Sequence, residues 1–262
     1  MSPRQVIKSN TGEVLSKDID IAQNFNDFFT DVGPALAAQI NSPEHFTNYL
    51  FDNHYTASFF LRPVSQNDVI NEIGRLDPSK AMGPDHIHPK TIIHAAQHIA
   101  SPLAHIINLS ITTGIFPDLL KIAKITPIYK KGSPLEISNY RPISLLPILS
   151  KIIESVVKSQ LLAYLDKFNI LLPTQYGFRK HYNTKLALVD LITDITDKMD
   201  AGYITFGIFI DLKKAFDTID HHILLQKLEH YGIRGLPLKW FHSYLENRLQ
   251  TVDVNGTVSP AN

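Results

Sequence analysis

The sequence predicts a mixed α/β fold of the α+β kind, on three observations. Long stretches with helical spacing of apolar residues, such as 149–168, are interleaved with short β-rich runs, such as 203–210. Clusters of Gly, Pro and Ser separate these runs and end them sharply. Of the 262 residues, 44% are hydrophobic and 19% charged, a globular composition and enough chain to bury a sizeable core.

The elements follow in order. Residues 20–40 read as an amphipathic helix with Ile21, Phe25, Phe28, Phe29 and Val32 on one face. Residues 41–63 mix turn residues with Phe46, Tyr49, Phe51, Tyr55, Phe59 and Phe60, and read as an ordered connection. Ser65 opens a second helix, because SQND puts an acid three residues after the cap and Val69, Ile70, Ile73 and Leu76 follow at helical spacing. The loop DPSKAMGPD at 77–85 interrupts the periodicity. Residues 88–113 form a long helix closed by Gly114 and Pro117.

Residues 124–147 read as two short strands around a Gly-Ser-Pro turn, and 149–168 as a strong helix. A loop carries QYGFRK (175–180), and 184–199 is helical again. The run YITFGIFI at 203–210 is continuously apolar and reads as a buried strand ending on Asp211. Helices fit 217–230, with DTID as its N-cap pattern, and 236–247. LQTVDVNG (249–256) reads as a strand entering a turn.

Composition excludes some chemistry. Without cysteine there is no disulfide, thiolate metal site or cysteine nucleophile. MSPRQVIKSN has no apolar h-region, and no run is long enough to span a bilayer, so an intracellular protein, in cytoplasm or nucleus, is expected. The net charge of zero hides an asymmetry. Residues 1–120 carry 7 Lys/Arg against 12 Asp/Glu, 121–180 carry 10 against 3, and 181–262 carry 8 against 10. A basic middle suits a phosphate-facing surface, and a merely solvated basic face accounts for the charge equally well.

Three local signals carry chemistry. Asp211 ends a buried apolar run and is followed by two lysines and Phe216. A carboxylate on such a rigid support suits magnesium, which takes one or two carboxylates plus substrate phosphates. The competing reading makes Asp211 a strand terminator. Asp217 and Asp220 read as helix-capping residues. Lys124, Lys130, Lys131 and Arg141 lie on or beside the two strands of 124–147, where Arg can grip phosphate with two hydrogen bonds and Lys acts as a point charge. Edge-strand protection accounts for Lys130 and Lys131, and less well for Arg141, which sits in apolar surroundings before a proline. In QYGFRK, Gly177 permits close backbone approach beside Arg179 and Lys180; an ordinary turn explains it as easily.

In this order the three signals resemble the reverse transcriptases of non-LTR (LINE-type) retrotransposons, close to the Jockey-like branch, over nearly the whole chain. The helix 21–37 looks like the segment preceding the polymerase. INEIGRLDPSKAMGPDHIHPKTI (70–92) resembles the Lys-Ser-x-Gly-x-Asp lead-in, with Lys80, Gly83, Pro84 and Asp85 matching and Ala81 and Met82 departing. ITPIYKKG and NYRPISLLPILSKIIESVV look like paired fingers motifs, and FIDLKKAFDTIDH like the palm motif.

The resemblance implies a right-hand polymerase: a helical lead-in over 1–63, then a partial reverse transcriptase domain over 64–262, with fingers to about 200 and palm from about 201. It implies an RNA-directed DNA polymerase, a nucleotidyltransferase using two Mg2+ ions, an RNA template, a DNA primer and deoxynucleoside triphosphates, and no membrane. Asp211 matches the first catalytic, metal-binding aspartate, with the backbone carbonyl of Leu212 a further metal contact. Phe216 matches the bulky residue that selects against a 2′-hydroxyl. Arg141 with Lys130 or Lys131 matches the triphosphate contacts, and Gln175, Gly177 and Arg179 the template–primer motif. The family's Gly-x-Pro-Gln-Gly-Ser and aromatic-Ala-Asp-Asp motifs do not occur in these residues, so a catalytically incomplete polypeptide is expected. A non-catalytic nucleic-acid-binding protein derived from such an enzyme is the alternative, and a misfolded relic the third.

Overall fold

Two signals local to the chain set the helices that carry the larger core. The structure is a computed structural model describing residues 7–8, 12, 14–40, 56–212 and 214–262. At α2 (Gln66–Gly74) the Ser65 hydroxyl accepts the Asp68 N–H at 3.2 Å and the Asp68 carboxylate accepts the Ser65 N–H at 2.8 Å, the reciprocal box that SQND predicts. At α3 (Pro89–Thr113) Pro89 occupies the first turn, and Gly114, at φ +67°, closes the helix as expected. Their apolar stripes pack with α4 (Ile148–Lys167) and α7 (Leu236–Leu245), burying Val69, Ile73, Ile107, Ile152, Ile153 and Trp240. Trp240 donates to the Ser110 hydroxyl at 2.9 Å and stacks on Tyr244 at 5.5 Å, so its polar end is satisfied inside the core.

The second core lies on a sheet. The strand β3 (Ile122–Tyr129) pairs antiparallel with β4 (Tyr140–Leu145) and parallel with β5 (Leu249–Val254), and β5 pairs with β6 (Thr257–Val258). The strand order is β4-β3-β5-β6. The β5–β6 turn is Asn255-Gly256, at φ +52° and +86°, a two-residue hairpin of the kind Asn-Gly favours. The helix α1 (Asp18–Ala37) lays Ile21, Ala22 and Phe25 against Ala123, Ile125, Tyr140, Val252 and Val254. A short hairpin, β1 (Ile7–Lys8) with β2 (Val14–Leu15), adds the buried Ile7.

A polar knot joins α1 to the C-terminal strands. The buried Asn26 amide donates to Ser259 Oγ at 3.1 Å and to the Pro260 carbonyl at 2.9 Å, and its oxygen accepts Gln250 Nε2 at 3.0 Å. Segments more than 220 residues apart are thereby held in one layer. The chain divides into two compact units, one of Met1–Gln160 with Phe216–Asn262 and one of Leu161–Ala215.

Close approach explains one glycine of the 77–85 loop. A Cβ on the buried Gly83 would stand 2.5 Å from the Leu146 carbonyl oxygen and 2.8 Å from Pro147 N, just beyond β4. Asp77 and Asp85 accept backbone N–H groups of Ser79 and Ile87 at 2.9 and 3.2 Å, which shapes the loop on either side.

The structure corrects three expectations. Residues 203–210 form no strand and are exposed rather than buried: Ile204 is 99% exposed and Phe209 88%. A doubly covered strand needs backbone partners at its edges and side chains over both faces, and among the described residues nothing supplies them. The helix expected over 217–230 begins later, as α6 (His221–His230). Its cap is Asp220, which accepts the N–H groups of His222 and Ile223 at 2.8 and 3.1 Å, while the Asp217 backbone instead abuts Gly33 of α1. The turn between the two basic strands is a braced ten-residue connection, 130–139, because a 3-10 turn at Ile137–Asn139 buries Ile137. Of the aromatic connection, 41–55 lies outside the described residues. The second unit holds the end of α4 and α5 (Thr184–Asp200), an exposed helix with Leu188 and Ile192 both 54% accessible.

Two predictions follow from this packing. Gly83→Ala destabilises the protein by about 1–3 kcal/mol, because the clash is with backbone that cannot rotate away; an unchanged denaturant midpoint would refute the close approach. Glu154 and Tyr244, which hydrogen-bond across α4 and α7, provide the second. Burial first, opposed by the Ser150 hydrogen bond and the Arg248 charge, raises the Glu154 carboxyl above its ordinary range. Burial and then the Glu154 charge push Tyr244 up to about 12. A carboxyl raised on folding holds its proton more tightly in the folded chain. Its stabilising contribution is therefore present in acid and is lost as pH rises through the folded value. Glu154→Gln removes that loss. Chemical denaturation across the mildly acidic range checks it, and parallel pH profiles for parent and variant would count against it.

Candidate active site

The face that α1 covers decides where the basic hairpin points. Tyr140 turns inward at the start of β4, meeting Phe25 edge-on at 5.0 Å and Tyr129 at 5.6 Å. Strand alternation then turns Arg141 to the opposite face, across from Ile128, with Ile143 next along. The ladder continues one step, as Lys130 N donates to the Asn139 carbonyl at 2.8 Å, so Lys130 shares the face of Ile128 and Arg141. Lys131 lies beyond the ladder in a bend.

The connecting loop is tied down. Tyr129 OH donates to the Gly132 carbonyl at 2.5 Å, Asn139 Nδ2 to Ser133 O at 2.9 Å, and Tyr140 OH to Pro134 O at 2.8 Å. Gly132, at φ +97°, has no room for a side chain, since a Cβ would meet Asn139 Nδ2 at 2.6 Å. Not every cation of the basic stretch is available. Lys121 pairs with Asp118 at 2.8 Å, and Lys124 with Asp253 of β5 at 3.5 Å. Lys130, Lys131 and Arg141 are exposed and make no ion pair among the described residues. Three uncompensated cations on a braced tip can hold an anion with several phosphate oxygens.

In the second unit, the QYGFRK loop is built from its own side chains. Arg179 donates to the Leu172 carbonyl at 2.8 Å and lies over the Tyr182 ring at 4.2 Å. Tyr176 OH donates to Asp190 at 2.5 Å, and this bond to a carboxylate, first among the causes, raises the Tyr176 phenol above its usual range. Gln175 N donates to Leu172 O at 3.0 Å, and its side chain reaches Gly177 O at 3.5 Å. Phe178 takes φ +60° with 85% of its surface exposed, a position the sequence does not single out.

Asp211 and Leu212 close the exposed segment in the second unit, with Leu212 70% accessible. Phe216 belongs to the first unit and is 73% exposed. The site residues the sequence singles out are thus distributed between the two units. Arg141 with Lys130 forms one local group, and Gln175, Gly177 and Arg179 form another.

Residues 128–261 match the family described as reverse transcriptase (RNA-dependent DNA polymerase). The chain belongs to the reverse transcriptase family. It is 30% identical over 260 residues to the RNA-directed DNA polymerase from mobile element jockey of Drosophila melanogaster, covering 97% of this chain and 28% of that protein. It is 30% identical over 206 residues to the probable RNA-directed DNA polymerase from transposon BS of the same organism, covering 76% and 22%. With the retrovirus-related Pol polyprotein from type-1 retrotransposable element R2 of Popillia japonica it shares 25% over 172 residues, covering 66% and 23%. The chain therefore spans about a quarter of the length of these curated relatives. Lys130, Lys131, Arg141, Gln175, Gly177, Arg179, Asp211, Leu212 and Phe216 all lie inside the family match.

Reverse transcriptases use divalent metal, and the residues described in this chain do not by themselves fit such a centre. Among them no three His, Asp or Glu side chains gather, and Asp211 stands as one carboxylate at the end of an unpaired segment. Two-metal transfer needs several rigidly held oxygen ligands. No described helix is long and apolar enough to cross a membrane.

Proposed function

We propose that this chain is the fingers, about 64–200, and the first part of the palm, from about 201, of an RNA-directed DNA polymerase of a Jockey-like non-LTR retrotransposon. Its substrates are an RNA template, a DNA primer and deoxynucleoside triphosphates, and it acts inside the cell. The observation that carries this reading is the braced hairpin tip with three exposed, unpaired cations inside the family match. Arg141 grips phosphate oxygens with its two-pronged guanidinium, and Lys130, on the same face, adds a point charge. Phe216 screens the sugar edge, and Gln175, Gly177 and Arg179 form the template–primer loop. Asp211 and the Leu212 carbonyl are this chain's contribution to a magnesium site.

Binding to an RNA–DNA hybrid is therefore salt-dependent. Arg141→Ala weakens it and lowers the slope of log affinity against log salt by about one contact's share. A slope unchanged by that substitution would remove the phosphate role. A polypeptide of these 262 residues, which holds no Asp-Asp pair, gives no primer extension. Magnesium-dependent extension abolished by Asp211→Ala would contradict that.

A further inference from the structure

The QYGFRK loop reverses the roles that its residue types suggest. Arg179 is turned back into the loop, bound to the Leu172 carbonyl at 2.8 Å and seated on Tyr182. Tyr176 is likewise held by Asp190 and lies 5.8 Å from the Tyr182 ring. Phe178 is the large side chain that points outward, 85% exposed, on a backbone in the left-handed region at φ +60°. A bulky residue there is strained, and such strain persists where the surroundings enforce it and tends to cluster at ligand sites. Its exposed ring recovers little hydrophobic stabilisation in return.

Gly177 adds an independent observation. Its φ is not positive, and a Cβ placed on it would meet nothing within 4 Å. Neither backbone conformation nor packing among the described residues calls for glycine there. The space it leaves opens outward, beside Phe178 and the exposed Lys180. An exposed aromatic face, an adjacent cation and a backbone without a side chain suit one ligand chemistry. The ring stacks on an unpaired base, the cation meets the phosphate, and the strand approaches closely over the glycine.

We infer that Phe178 is the base-stacking contact of this loop for single-stranded nucleic acid, and that Arg179 is a positioning residue that holds the loop from behind. This rests on the nucleic-acid reading of the chain proposed above. Stacking tolerates RNA and DNA alike, because every base has a π-face.

The test uses the whole chain, with oligouridylate, oligodeoxythymidylate and a blunt RNA–DNA hybrid as probes. Phe178→Ala and Phe178→Leu each weaken binding of both single strands by about tenfold or more, and weaken binding of the blunt hybrid, whose bases are already stacked, by less. Phe178→Trp binds single strands, and its emission is quenched on binding. Arg179→Ala weakens single-strand binding without changing its salt slope, whereas Lys180→Ala lowers the slope. Phe178→Leu binding as tightly as the parent would show that bulk suffices and overturn stacking. A lowered salt slope in Arg179→Ala would overturn the positioning role. If Arg141→Ala weakens hybrid binding while every Phe178 variant binds like the parent, this inference fails and the polymerase reading stands. If the parent binds none of the probes, both fail together.

Discussion

The contact of Phe25 with Tyr140 is the constraint on which the candidate nucleotide site depends. It belongs to the core that α1 makes against β3, β4 and β5, and it decides which face of the sheet is dry. Once Tyr140 is inside, strand alternation leaves Arg141 no choice of face, and the same pleat carries Lys130 to that side. A one-residue slip of β4 would bury the arginine and expose the tyrosine. The loop bonds from Tyr129, Asn139 and Tyr140 oppose such a slip.

That same core ties α1 to the sheet and to the last strands. Asn26 is wholly buried and satisfies its amide on Gln250, Ser259 and Pro260. Removing one partner would leave buried polar groups without bonds, which costs more than the net gain from forming them. The sheet, the first helix and the last strands therefore form one layered assembly.

The second unit obeys different physics. Between Leu161 and Ala215 only Tyr164 is buried among the described residues, and the apolar side chains of α5 and 203–212 face outward. Hydrophobic burial contributes little to its order. What holds the QYGFRK loop is polar: the Arg179, Tyr176 and Gln175 hydrogen bonds. An apolar run without a paired strand among the described residues has high affinity for a pairing strand or a covering face, which is the demand that the sequence of 203–210 expresses.

Much of the fold was legible because its signals are local. Ser65 with Asp68, Gly114, and the Asn255-Gly256 turn each act within four residues, and each behaves as its chemistry dictates. The positions of Lys130, Lys131 and Arg141 on a hairpin were legible for the same reason. The site residues within QYGFRK were legible by type but not by direction: only the fold shows Arg179 turned inward and Phe178 outward. The start of α6 was misplaced because Asp217 and Asp220 are both good caps, and the backbone contact of Asp217 with Gly33 of α1 separates them.

By itself the sequence determined the family, the helix caps at Ser65 and Gly114, and the order of the motifs, since these depend on residue type and short spacing. Only the tertiary structure decided the parallel pairing of β3 with β5, the close approach at Gly83, the engagement of Lys124 by Asp253, and the exposure of 203–210. The first three are set by partners far away in the chain, and the last by the lack of one among the described residues. A strand's propensity states what it would bury, and only the arrangement of its neighbours states whether anything is there to bury it.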